Sequence, residues 1–80
     1  MLGAVSWRIY ATAQVGESHA TIYLIPGGGV NLRAKSGEEL LLDGFYTSVE
    51  EAVLEAALSG LPQVLYDALL DAVARRREAG

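Results

Sequence analysis

Eighty residues with a formal net charge of −4, 51% hydrophobic content and no cysteine describe one small domain, residues 1 to 80. The missing thiols exclude disulfides, cysteine-ligated zinc and thiol catalysis. A chain this short buries only about 60% of the surface its unfolded form exposes, so oligomerisation is the expected support for a core without staples. No apolar run approaches the roughly 18 residues of a membrane span, and Met1 to Val5 has neither a basic stretch nor a long apolar one. The expectation is a cytoplasmic protein with no membrane partner. An excess of Arg over Lys among its 6 cations, with many Ala and Gly, points to a GC-rich bacterial genome.

Strand signals come first. Val5, Trp7, Ile9, Ala11, Ala13 and Val15 alternate with Ser6, Arg8, Tyr10, Thr12 and Gln14, the period of two of a strand with one face on a core. This predicts a strand over about 5–15. A second, about 18–26, places Ala20, Ile22 and Leu24 on the same inner face. A two-residue turn at Gly16-Glu17 sets Ile9 opposite Leu24, Ala11 opposite Ile22 and Ala13 opposite Ala20 inside. Outside, Tyr10 meets Tyr23, Thr12 meets Thr21 and Gln14 meets His19.

A loop at Gly27-Gly28-Gly29 leads to a third strand, about 30–35, with Val30, Leu32 and Ala34 inward, Arg33 beside Tyr23 and Lys35 beside Thr21. A turn at Ser36-Gly37-Glu38 returns a fourth strand, about 39–43. Leu40 and Leu42 are expected inward and Leu41 outward, although three leucines in a row break the alternation.

Helices follow. Ser48-Val49-Glu50-Glu51 reads as a capping box, Gly60 as the left-handed residue that closes a helix over about 49–59, and Pro62 as the start of a second helix over about 62–77. The expected fold is α+β: an antiparallel meander of three to four strands with an αα-hairpin on one sheet face.

Charge follows these elements. Residues 1–35 carry Arg8, Arg33 and Lys35 against Glu17, residues 36–74 carry eight acids and no Lys or Arg, and Arg75-Arg76-Arg77 stand near the end. In the expected register, the first three strands show an outward face without acids, bearing Arg8, Tyr10, His19, Tyr23, Arg33 and Lys35. Strand four then brings Glu39, Leu41 and Asp43 to its edge.

Two binding surfaces emerge. At 100° per residue, Leu65, Tyr66, Ala68, Leu69, Leu70, Ala72 and Val73 cover about 200° of the second helix, where a surface helix needs a stripe somewhat over 100° wide. On the first helix the stripe is Val49, Val53, Ala56 and Ala57, while Leu54 and Leu58 fall among Glu50, Glu51 and Glu55. The surplus, Leu54, Leu58, Leu70 and Val73, is expected to serve protein interaction, foremost a two-fold homodimer. Single-stranded nucleic acid is the second reading, with bases stacked on Tyr10 and Tyr23 and phosphates met by Arg8, Arg33 and Lys35.

Nothing points to catalysis or a cofactor. The three glycines join two strands and do not enter a helix as a phosphate loop does. His19 is the sole histidine, with no nucleophile or ligand set in pattern around it. Asp67 with Asp71 and Glu51 with Glu55 share helix faces at i, i+4 without a third partner, and read as solvated acidic surface. The three arginines complement the C-terminal end of a helix dipole, or form a phosphate-binding tail. The chain is therefore read as a non-enzymatic binding module.

Overall fold

A computed structural model describes residues 6–79. Strands β1 (Arg8–Val15), β2 (Ser18–Leu24), β3 (Val30–Ser36) and β4 (Glu39–Tyr46) form one antiparallel sheet in the order β1-β2-β3-β4. Helices α1 (Val49–Leu58) and α2 (Gln63–Ala79) cover one face. The α+β meander with an αα-hairpin is therefore the fold. Val5, the expected first strand residue, lies outside the described residues.

The turns follow from glycine. Gly16 (φ +60°) and Gly37 (φ +59°) each open a Gly-Glu turn, supplying the positive φ that a Gly-first hairpin turn requires. Both turns lie at one end of the sheet, where Gly37 N donates to Glu17 O at 3.0 Å and Ser18 Oγ to Ser36 Oγ at 3.0 Å.

The middle loop is centred one residue earlier than expected. Gly28 N donates to Ile25 O at 3.0 Å, with Pro26 and Gly27 (φ +94°) between them. Pro at the second and a positive-φ Gly at the third position make a type II turn. Ile25 and Gly29 close it, so the β2–β3 register moves by two residues: Tyr23 pairs with Asn31, Thr21 with Arg33 and His19 with Lys35. Parity is preserved, and Val30, Leu32 and Ala34 remain inward and buried.

Two bulges alter the edge strands. From Ala11 to Val15, β1 pairs with β2 as expected; then the ladder skips Tyr10, setting Ile9 opposite Tyr23 and Arg8 opposite Leu24. Because side chains alternate, the inserted residue exchanges the faces of everything before it. Tyr10 thus turns to the helix side, where it packs on the core and Arg76 stacks 5.0 Å from its ring centroid. Arg8 takes the same parity, while Ile9 and Trp7 move to the open face. In β4 the ladder skips Leu41 between the Lys35–Leu40 and Ala34–Leu42 pairs. The turn before it takes two residues, Gly37-Glu38, and not the expected Ser36-Gly37-Glu38, so Leu40 joins Lys35 on the open face and is exposed, while the inserted Leu41 packs against the core, the reverse of the expectation.

The core joins Ala11, Ala13, Ala20, Ile22, Val30, Leu32 and Ala34 from the sheet to Ala52, Ala56, Leu65, Leu69 and Val73 from the helices. Four alanines on the sheet let α2 settle close along β1 and β2, and Leu65 and Leu69 then fill the space with no exposure. Val73, expected on an oligomer surface, is 4% exposed and belongs to this core. On α1 the buried side is Ala52 and Ala56, while Ala57 is exposed. Ser48 Oγ accepts from Glu51 N at 3.1 Å, the expected cap. The Glu51 carboxylate reaches one residue further back than a capping box requires, accepting from Thr47 N at 2.7 Å and Thr47 Oγ1 at 3.0 Å. These bonds hold its carboxyl below the usual range.

In β4 the Tyr46 ring folds over Gly44 on the helix side, so that a methyl group at Gly44 would meet Tyr46 Cζ at 2.7 Å. Gly44→Ala should therefore destabilise the fold by about 1–3 kcal/mol through overpacking. A urea midpoint lowered accordingly is the expected result; a raised midpoint would show that Tyr46 yields at no cost and backbone entropy wins.

Candidate functional site

The corrected register arranges the open face in three cross-strand rows. Ile9, Tyr23, Asn31 and Phe45 form the first, next to the β2–β3 turn. Thr12, Thr21, Arg33 and Asp43 form the second. Gln14, His19, Lys35 and Leu40 form the third, next to the Gly-Glu turns.

The first row is aromatic and apolar. Trp7, just ahead of β1, has its ring centroid 5.9 Å from that of Tyr23 and 5.7 Å from that of Phe45, the latter edge-to-face. Tyr23 and Phe45 stand on β2 and β4, two strand spacings or about 9.6 Å apart. The indole therefore lies over the intervening β3, on top of Asn31, which has no exposure. Phe45 and Ile9 flank this cluster at 64% and 58% exposure.

Asn31 is the polar floor of the row. Its Nδ2 donates to Asp43 Oδ1 at 2.9 Å and to Gly44 O at 3.0 Å, using both amide hydrogens. A flipped amide would set its oxygen against a carboxylate and a carbonyl, so the assignment is fixed chemically. The Oδ1 consequently points away from β4, and among the described residues it has no hydrogen-bond donor. A buried acceptor in that state costs about 1–3 kcal/mol.

The second row is charged but internally neutralised. Arg33 Nη2 lies 3.3 Å from Asp43 Oδ2, and the Thr12 and Thr21 hydroxyls meet at 2.9 Å. The Asn31 hydrogen bond is the main influence holding the Asp43 carboxyl below the usual carboxylate range; burial opposes it, and the Arg33 guanidinium adds to it. Arg33, Lys35, Glu38, Leu40 and Asp43 line a shallow depression of about 280 Å³ across the second and third rows. Two cations face two acids there.

Of the five residues read from the sequence as a nucleic-acid face, the fold brings together Tyr23, Arg33 and Lys35. Arg8 and Tyr10 have the opposite parity because of the β1 bulge. The Tyr10, Tyr23 and Arg33 row does not exist, and Asp43 enters the face beside Arg33. The terminal arginines are engaged within the chain: Arg75 with Asp71 at 3.1 Å, Arg77 with Glu50 at 2.6 Å and Arg76 with the Tyr10 ring. Of the oligomer-surface residues, Leu54, Leu58 and Leu70 are exposed and Val73 is not. Sequence reasoning missed Trp7, Ile9 and Phe45, and it placed Asn31 on the open face without giving it a role. Asn31 could have been singled out as the uncharged polar residue two positions before Arg33, and Phe45 found by extending β4 past Gly44.

Among the described residues, no three His, Asp or Glu side chains gather as a metal-binding group, and no helix is long and apolar enough to cross a membrane. Comparison with protein-family models, curated proteins and solved structures returns no match.

The depressed Asp43 pKa implies a pH dependence of determined sign. The stabilisation is present above the ordinary carboxylate pKa and is lost as pH falls through the lower folded value. Asn31→Ala and Arg33→Gln should each raise the Asp43 pKa, as read by carboxyl carbon NMR titration. An unchanged Asp43 pKa in Asn31→Ala would contradict the leading role of the Asn31 hydrogen bond.

Proposed function

We propose that this chain is a small, non-enzymatic, cytoplasmic binding module that works by self-association, and that the open sheet face is its contact surface. One observation carries the reading: the apolar strip of Trp7, Ile9, Tyr23 and Phe45 is continuous across the sheet, on the face opposite an already complete core. Contiguous exposed apolar surface marks interaction sites. Aromatic residues at the centre and charged residues at the rim are the usual anatomy of an interface. The first row would form such a centre, and Lys35, Arg33 and Asp43 the rim. A two-fold dimer fits because one surface then serves both partners.

The helix leucines support a second contact, with another protein. Leu54 and Leu58, one turn apart on α1, are 59% and 72% exposed, but Glu50, Glu51 and Glu55 interrupt them and Val73 is withdrawn into the core. Nucleic acid is the lesser alternative. Tyr23, Arg33, Lys35 and His19 share a face suited to a single strand, yet Asp43 ties up Arg33 and an acidic chain repels phosphate.

Light scattering over a concentration series should give twice the 8.5 kDa chain mass at high concentration. Phe45→Ser should shift the protein to monomer without lowering its melting temperature appreciably, because Phe45 is largely exposed. A wild-type protein that stays monomeric at millimolar concentration would refute self-association. Dissociation by Leu54→Ser with Leu58→Ser, but not by Phe45→Ser, would move the interface to the helices.

A further inference from the structure

The slot between Tyr23 and Phe45 is filled by the chain's own Trp7, and filled incompletely. The indole touches both flanking rings and is still 38% exposed, while the Asn31 Oδ1 has no donor among the described residues. An indole has one polar hydrogen, on Nε1, and it can only donate. The slot thus combines two aromatic walls with a buried acceptor whose direction is fixed by Asp43 and Gly44, which suits an indole entering N–H first. Trp7 makes no such hydrogen bond in its own chain; it is tethered to Arg8, the first residue of β1 and the point where the ladder begins.

We propose that two copies exchange Trp7, the indole of each entering the slot of the other and donating Nε1–H to the partner's Asn31. The inference rests on the self-association reading above and specifies what joins the two faces. Packed sheets lie about 10 Å apart, a gap that one indole side chain bridges with only Trp7 swinging about Arg8. Trp7 lies outside the ladder, so no strand pairing is broken. No described residue of the same chain meets the acceptor; in the dimer both acceptors are satisfied, and each slot is complete only with a residue from the other copy. The nearly balanced charge of the surrounding rows allows two like faces to approach.

The exchange is tested by complementation between two variants that each fold but lack opposite halves of the contact. Trp7→Ala keeps the slot and loses the indole; Phe45→Ser keeps the indole and loses a wall. Each alone should be monomeric by light scattering, with circular dichroism confirming the fold. Their equimolar mixture should form a heterodimer, since the Phe45→Ser chain can place its Trp7 in the Trp7→Ala slot. Trp7→Phe, which keeps a ring without the donor, should weaken the dimer by roughly tenfold per crossing and about a hundredfold in all. Trp7 is the only tryptophan, so its emission in the unaltered protein should change as the dimer is diluted apart.

A Trp7→Ala chain that dimerises as tightly as wild type would overturn the exchange and leave self-association standing. So would a folded mixture no more dimeric than its components, an unchanged Trp7→Phe dimer, or emission that ignores dissociation. A monomeric wild type would overturn both.

Discussion

Alternation along a strand has a period of two, so a single inserted residue reverses the face of every side chain beyond it. This sheet contains two such insertions, at Tyr10 in β1 and Leu41 in β4, one on each edge strand. The first takes Trp7 and Ile9 out of the expected core and puts Arg8 and Tyr10 in their place on the helix side. The second brings Leu41 inward and, with the two-residue Gly37-Glu38 turn, leaves Leu40 on the open face. What the open face can bind follows from these two residues: without them it would be a cationic surface with scattered tyrosines, and with them it is an aromatic strip with a neutralised polar border.

The bulges also serve the covered face. Tyr10 lies at the edge of the core beneath the last turns of α2, where Arg76 caps its ring. The guanidinium meets the negative face of the phenol, while its stem covers apolar surface. At the opposite edge, Leu41, Leu42 and Tyr46 extend the packing of β4 toward α1. Burial and the nearby carboxylates of Glu55, Glu51 and Asp43 push the Tyr46 phenol above its ordinary pKa, so it remains neutral where it lies over Gly44. A four-stranded sheet with four alanines among its seven buried inner residues would leave its rims thin. The two inserted residues thicken both.

Much of this architecture was legible in the residues. Parity from Ala11 to Val15, the Gly16-Glu17 turn, Ser48 as a cap and Gly60 as a terminator all rest on local chemistry that a sequence displays directly. The β2–β3 register departs from the expectation because Pro-Gly at the centre of a turn specifies type II by itself, which centres the loop on Pro26-Gly27 and not on the three glycines. The bulges were less accessible. An inserted residue near the right-handed region needs no glycine, and Ile9-Tyr10 continues the alternation without a break; only tertiary packing, Tyr10 against α2, selects the reversed face. In β4 a trace was present, because Leu40-Leu41-Leu42 cannot alternate and one leucine had to be extra. The candidate site was hidden to the same degree, since three of its four principal residues, Trp7, Ile9 and Phe45, depend on a bulge or on strand residues past Gly44.

The segregation of charge along the chain does not survive folding as a segregation of surface. Arg77 closes on Glu50 of the acidic first helix, Arg75 on Asp71 one turn back, and Arg33 on Asp43 across the sheet. Each pair is solvent-exposed and contributes little to stability, about 0–1 kcal/mol at most, so their importance lies in what they remove. They leave Lys35 as the open-face cation with no ion pair among the described residues. A surface that must attract a polyanion needs several uncommitted cations, because affinity scales with the number of phosphates neutralised. One against a −4 chain is too few. A surface that must meet its own copy needs the reverse condition, near-neutrality around an apolar centre, and the ion pairs supply it.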